Sequence, residues 1–240
     1  MLKGEYMFDK LKSMGWEREN TDFPFYRDNP NLSKNKWYAL IVVSVFLAIG
    51  SFSWGYDVDI TLGMFVSLIL VAIYAFKGHF GEIVKVPELN DFWFIILCII
   101  GEFILTLLLA SILPGADVTA QDDVAVTLTV MNIIETAIQL VWEELYKFIL
   151  FITALYVSYR FTGKRGFSVV IATLFALTFF GALHLSVYSD LFYSVVAIGY
   201  GSIVTAYAYL RTKNLLVSYL VHLCYDLLLM VLLYLATLLV

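Results

Sequence analysis

Three short motifs in this chain have the residue types and spacing for acid–base chemistry, and all three lie inside long apolar runs. Glu143 and Glu144 are adjacent, with Lys147 three to four positions on. Phe180 and His184 are four apart, as are His222 and Asp226. Positions three or four apart share a face of an α-helix. Lys147 therefore reaches toward either glutamate, while the two glutamates diverge by about 100°. A phenylalanine four before a histidine can floor the pocket into which the ring points. An aspartate four after a histidine can accept a ring N–H and fix the tautomer. Each motif also has an inert meaning, since E-E-x-x-K is a common solvated helix face and a membrane histidine often only ties helices together. The flanking Val141-Trp142 and Phe148-Ile149-Leu150-Phe151 take most of the weight from the solvated-face reading.

Five acids and two histidines in all sit within apolar runs: Glu102, Glu135, Glu143, Glu144, Asp226, His184 and His222. Ionisable groups at membrane depth cost several kcal/mol and face a bundle interior or a wet cavity. Glu102 and Glu135 have no partner at helical spacing and read as packing or cavity residues. Cys98 and Cys224 show no metal or redox spacing and read as small apolar residues.

The elements that must position these groups follow from composition and charge. Of 240 residues, 61% are hydrophobic and 15% charged, against about 25% charged in a soluble domain. That excludes a soluble globule and a disordered chain, and a net charge of -5 gives no basic footprint for nucleic acid. Seven runs approach the length of a membrane helix: roughly 37–55, 60–76, 92–113, 124–159, 167–188, 191–210 and 214–240. Of fifteen Lys and Arg residues, only Lys147 lies inside a run. The others fill the N-terminal arm and alternate gaps, ending with Arg160, Lys164, Arg165, Arg211 and Lys213. The positive-inside rule then places the N-terminus in the cytoplasm. The expected fold is all-α, a polytopic membrane helix bundle of about seven transmembrane helices, in a bacterial plasma membrane. Residues 1–36 form a cytoplasmic arm and 37–240 the bundle. The arm's Trp16, Phe23, Phe25 and Tyr26 suit an interfacial segment, but a partly ordered tail is the preferred expectation. The overlong fourth run is expected to begin as an interfacial or outer-leaflet helix (about 124–138) leading into the span proper, with or without a break. Ala197 and Gly201 are the small pair expected to allow close packing.

In order along the chain, Glu143-Glu144-x-x-Lys147, Phe180-x-x-x-His184 and His222-x-x-x-Asp226 resemble the CAAX protease and bacteriocin-processing (Abi) family of intramembrane proteases. The resemblance covers about 125–240 and includes the lead-in Thr212 to Tyr219. Two positions depart from the family pattern. Phe148 stands where the family has Arg, with Lys147 one place earlier, as in related proteases that cleave anti-sigma factors. Asp226 stands where Asn is commoner.

The resemblance implies peptide hydrolysis by a glutamate-activated water, in bacteriocin processing or immunity or a similar task. Glu143 would be the general base and Glu144 the carboxylate held by Lys147. His184 would position water or protonate the leaving amine, and His222, oriented by Asp226, would stabilise the oxyanion. No cofactor is expected; a Glu143/His184/His222 set holding zinc is the alternative. The partners expected are a membrane-associated peptide or protein substrate and the lipid bilayer. Two other functions stay open, an inactive family member that scaffolds another membrane or cell-wall enzyme, and an ion-coupled transporter. Depth poses one difficulty. Glu143 and His184 lie about 25 Å from the basic ends of their helices, but His222 only about 14 Å from Lys213. Convergence needs tilt, a break in the fourth helix, or a loop at 211–213 that dips inward.

Overall fold

The computed structural model describes residues 17–18, 21–113 and 128–238. Trp16, Asp117, Asp122, Asp123 and the start of the fourth run (124–127) lie outside them. The helices are α1 (Lys34–Gly50), α2 (Val58–Phe76), α3 (Phe80–Ile83), α4 (Leu89–Ile112), α5 (Val130–Thr162) and α6 (Arg165–Leu183). There follow α7 (Leu185–Tyr188), α8 (Leu191–Tyr193), α9 (Ile203–Thr212) and α10 (Leu215–Thr237). A π-helical stretch (Ser194–Gly199) and a 3-10 turn (Tyr200–Ser202) join α8 to α9. No strand occurs among the described residues.

Five stretches are long and apolar enough to cross a membrane: Val58–Phe76, Leu89–Ile112, Arg165–Leu183, Leu191–Thr212 and Leu215–Thr237. The other two expected spans correspond to α1, which has 17 residues, and α5, which carries Glu143, Glu144 and Lys147 through its middle. The chain is thus an all-α, multi-pass membrane bundle. Side chains cap several helix starts: Asp57 accepts from Ile60 N–H, Thr129 from Asn132 N–H and Asn214 from Leu216 N–H. Gly163 ends α5 in the left-handed conformation (φ 65°), which a residue without Cβ adopts freely.

The 33-residue α5 is the axis of the bundle, packing against α1, α2, α6 and α10. It runs unbroken from Val130 to Thr162, so no break separates its first turns from the rest. No Gly or Pro lies within 130–162 to produce a kink. Tyr146 anchors it, with no exposed surface and its hydroxyl 2.5 Å from Ser51 Oγ and 3.2 Å from Phe179 O.

The arm is not a loose tail. Phe23, Phe25 and Tyr26 are all buried. Phe25 stacks on Phe76 at 5.0 Å, Tyr26 meets Tyr159 edge-on at 4.9 Å, and Phe23 lies 5.2 Å from Phe151 and 6.0 Å from Tyr209. Three aromatic rings bury too much apolar surface to be left in water. Their place in the core also resolves the depth problem. Thr212, Lys213 and Asn214 are at most 4% exposed, and Tyr209 sits beside Phe148 and Phe151. The α9–α10 loop therefore lies level with the middle of α5, about 15 Å inward of Arg160. The loop dips, and the arm fills the recess behind it.

The tightest backbone approach is not at Ala197 and Gly201. A Cβ on Gly181 would meet Ser194 O and Val195 Cα at 2.6 Å, and one on Gly199 would meet Leu177 O at 2.5 Å. A Cβ on Gly201 meets only the Leu109 side chain, at 3.4 Å. Gly181 and Gly199 therefore set the spacing between α6 and the π-helical stretch.

Candidate active site

Glu144 is 3% exposed, and three donors converge on it. Lys147 Nζ lies 2.5 Å and His222 Nδ1 2.8 Å from Oε1, while Ser218 Oγ lies 2.7 Å from Oε2 and 2.8 Å from Thr205 O, its one proton divided between the two acceptors. The two partners from α10 reach it because the loop at 212–214 lifts the helix start to this depth. Four residues separate Ser218 from His222, so both project from one face. A carboxylate with this many charge-assisted bonds is held as an anion and has little capacity left to take a proton.

Glu143 is as deeply buried, at 4% exposed, but far less engaged. Its Oε1 accepts from Gln139 Nε2 at 2.8 Å, and Oε2 has no hydrogen-bond partner among the described residues. The diverging directions of adjacent helical residues send one glutamate into the α10 network and leave the other with a free oxygen.

Phe180 links the third helix to these two. Its ring lies 4.8 Å from the His184 ring and 6.3 Å from the His222 ring, and Lys147 Nζ is 4.5 Å from its centroid. A cation over an aromatic face is attracted by the ring quadrupole, so Phe180 steadies Lys147 as well as flooring the site. His184 caps the end of α6, and its Nδ1 stands 2.9 Å from Phe180 O. A carbonyl only accepts, so Nδ1 carries the proton and Nε2 presents its lone pair.

The expected His222–Asp226 hydrogen bond is not made: Asp226 Oδ2 is 3.9 Å from Nε2, too far for a direct bond. Glu144, not Asp226, fixes the ring, because it meets Nδ1 from the opposite side. Asp226 nevertheless lies within electrostatic range of His222, Glu143, Lys147 and His184. The five candidate acids and histidines, with Lys147 and Phe180, thus gather in one place.

Glu102 joins them without any signal at helical spacing. It is 5% exposed on α4, its Oε2 is buried with no partner among the described residues, and it feels the charges of His222, Lys147, Asp226 and Glu144. Its only trace in the sequence was an acid inside an apolar run. Glu135 points outward and is exposed. A chamber of about 30 Å³ adjoins Glu144, Lys147 and Ser218, and its wall is otherwise mostly apolar, including Phe148, Phe151, Leu177 and Leu210. Tyr209 also lines it, and its buried hydroxyl has no hydrogen-bond partner among the described residues.

A bound zinc ion would need at least three converging protein ligands. Among the described residues no three His, Cys, Asp or Glu side chains are disposed to hold one metal ion.

Residues 125–228 match the family described as Type II CAAX prenyl endopeptidase Rce1-like. The match contains all of the residues above except Glu102. No curated protein and no solved structure matches the chain.

Proposed function

We propose that this membrane protein is an intramembrane endopeptidase in which Glu143 activates the attacking water. The observation that supports this most is the inequality of the two glutamates. Glu144 is engaged by Lys147, His222 and Ser218, whereas Glu143 bonds only Gln139 and keeps one oxygen without a hydrogen-bond partner among the described residues. Glu143 takes a proton from water as the oxygen adds to the scissile carbonyl. Collapse of the tetrahedral intermediate breaks the C–N bond, and His184, with Nε2 free, relays the proton to the departing amine. His222 donates Nδ1–H to Glu144, so Nε2 can donate to an oxyanion only as the imidazolium, a form flanked by Glu144 and Asp226. The matched family description names a CAAX prenyl endopeptidase, which makes a membrane-tethered peptide the substrate class to test.

The test is turnover of such a peptide by the purified, reconstituted chain. Glu143→Ala and His184→Ala should each abolish cleavage while the protein still folds. Wild-type rates from both variants would rule out Glu143 and His184 as the catalytic groups, and no turnover by the wild-type chain would leave the scaffold function in its place.

A further inference from the structure

Away from the site, a cavity of about 530 Å³ opens between the arm, the start of α1 and the end of α5. Arg27, Lys34, Arg160 and Asp28 line it, three cations against one anion, for a net of +2. Lys34 and Arg160 have no carboxylate partner among the described residues. Two sets of neutral donors are also unsatisfied. Trp37 is 3% exposed, lines the cavity, and its indole N–H has no acceptor among the described residues. The ring cannot turn to find one, because it stacks on Tyr156 at 3.7 Å and 7°. The first turn of α1 begins at Lys34, and the Ser33 side chain makes no capping bond, so its leading N–H groups are free for an anion.

The surface beside the cavity says what kind of anion. From Lys34 the residues Tyr38, Val42, Val45 and Ile49 follow at spacings of four, four, three and four, forming one face of α1, and all are exposed. A soluble phosphate would use none of that stripe. A phospholipid uses both parts, with its phosphate among the cations and N–H donors and its chains along the apolar face. Trp37, Tyr156 and Tyr159 are residue types that collect at headgroup level, and the basic loops mark this as the cytoplasmic leaflet. We propose that this cavity is a headgroup site for one anionic phospholipid, beyond and independent of the hydrolytic site.

Native mass spectrometry of the full chain in detergent, incubated with phosphatidylglycerol or phosphatidylcholine, tests it. One phosphatidylglycerol per chain should be retained, at least tenfold better than phosphatidylcholine, and inorganic phosphate should not displace it. Each basic residue near a membrane surface strengthens anionic-lipid binding about fivefold, so Lys34→Gln with Arg160→Gln should weaken retention about thirty-fold. Trp37→Phe keeps the stack on Tyr156 but removes the N–H, and should weaken retention severalfold with an unchanged melting temperature. Equal retention of the two lipids, or no effect of either variant, would overturn the site. Displacement by inorganic phosphate would assign the cavity to a soluble anion and overturn the lipid.

Discussion

His222 Nδ1 lies 2.8 Å from Oε1 of Glu144, on a helix 78 positions earlier in the chain. This one contact joins the first and last motifs and divides the labour between adjacent carboxylates. Glu144 becomes the structural anion of the site, neutralising Lys147 and orienting His222. Glu143 is left as the carboxylate with spare capacity.

That division predicts opposite phenotypes for neighbouring substitutions. Glu143→Gln should lower turnover by about 10²–10⁴, with stability within about 0.5–1 kcal/mol of wild type. Glu144→Ala strands Lys147 and His222 without their counterion and should cost about 3–5 kcal/mol. Thermal unfolding in detergent beside peptide turnover separates the two. Equal instability of both variants would show that the glutamates share one structural role.

Asp226 should matter less than its place in the motif suggests. It stands 3.9 Å from His222 Nε2 and acts through its charge. Asp226→Asn should keep kcat within about tenfold, whereas His222→Ala removes a group worth about 10²–10⁴. If the two losses match, a direct bond to His222 forms in the working enzyme and the assignment of Glu144 as sole orienter is wrong.

The packing of α6 gives a prediction that distinguishes three glycines. Gly181→Ala drives a methyl into Ser194 O and Val195 Cα, backbone that cannot swing aside. The expected cost is about 1–3 kcal/mol, with reduced turnover because His184 is three residues on. Gly199→Ala should behave alike, meeting Leu177 O at 2.5 Å. Gly201→Ala, facing only the end of the Leu109 side chain, should be tolerated. Unfolding midpoints of the three variants decide the order.

Most of the site was legible because its three motifs obey helical spacing, and buried charge inside apolar runs has few inert explanations. Glu143, Glu144, Lys147, Phe180, His184, His222 and Asp226 therefore stand out in the sequence, and the structure brings them together. Their bonds do not stand out there, since the His222–Glu144 contact spans two helices and no spacing rule reaches across them. Glu102 was missed as a member for the same reason. The arm misled because Phe23, Phe25 and Tyr26 sit among charges, and their burial depends on a recess made by a loop nearly two hundred residues later. The close approach at Gly181 and Gly199 escaped because the π-helical stretch shifts the phase that small-xxx-small pairs assume.

The arm's attachment should show in the pH dependence of stability. Glu17 accepts from Arg165 at 2.9 and 2.6 Å and from Lys213 Nζ at 2.8 Å. Burial raises its pKa, but the Arg165 hydrogen bonds and the Lys213 charge outweigh that and bring it to about 2. A carboxyl lowered from about 4.5 contributes stability that is fully present above pH 4.5 and lost as pH falls through about 2, worth about 3 kcal/mol. Lys213 shifts the other way in effect. Burial lowers it to about 8, with Glu17 only partly offsetting, so the folded state sheds this proton before the unfolded chain does. Its linkage makes stability rise, not fall, between pH 8 and 10.5. Glu17→Gln should therefore lower the unfolding free energy by about 3 kcal/mol at neutral pH. The gap from wild type should hold constant down to about pH 4.5 and close only below it. Denaturation profiles of the two proteins across pH check this, and a gap that narrows between pH 7 and 5 would show that the arm is held by something other than the Glu17 carboxylate.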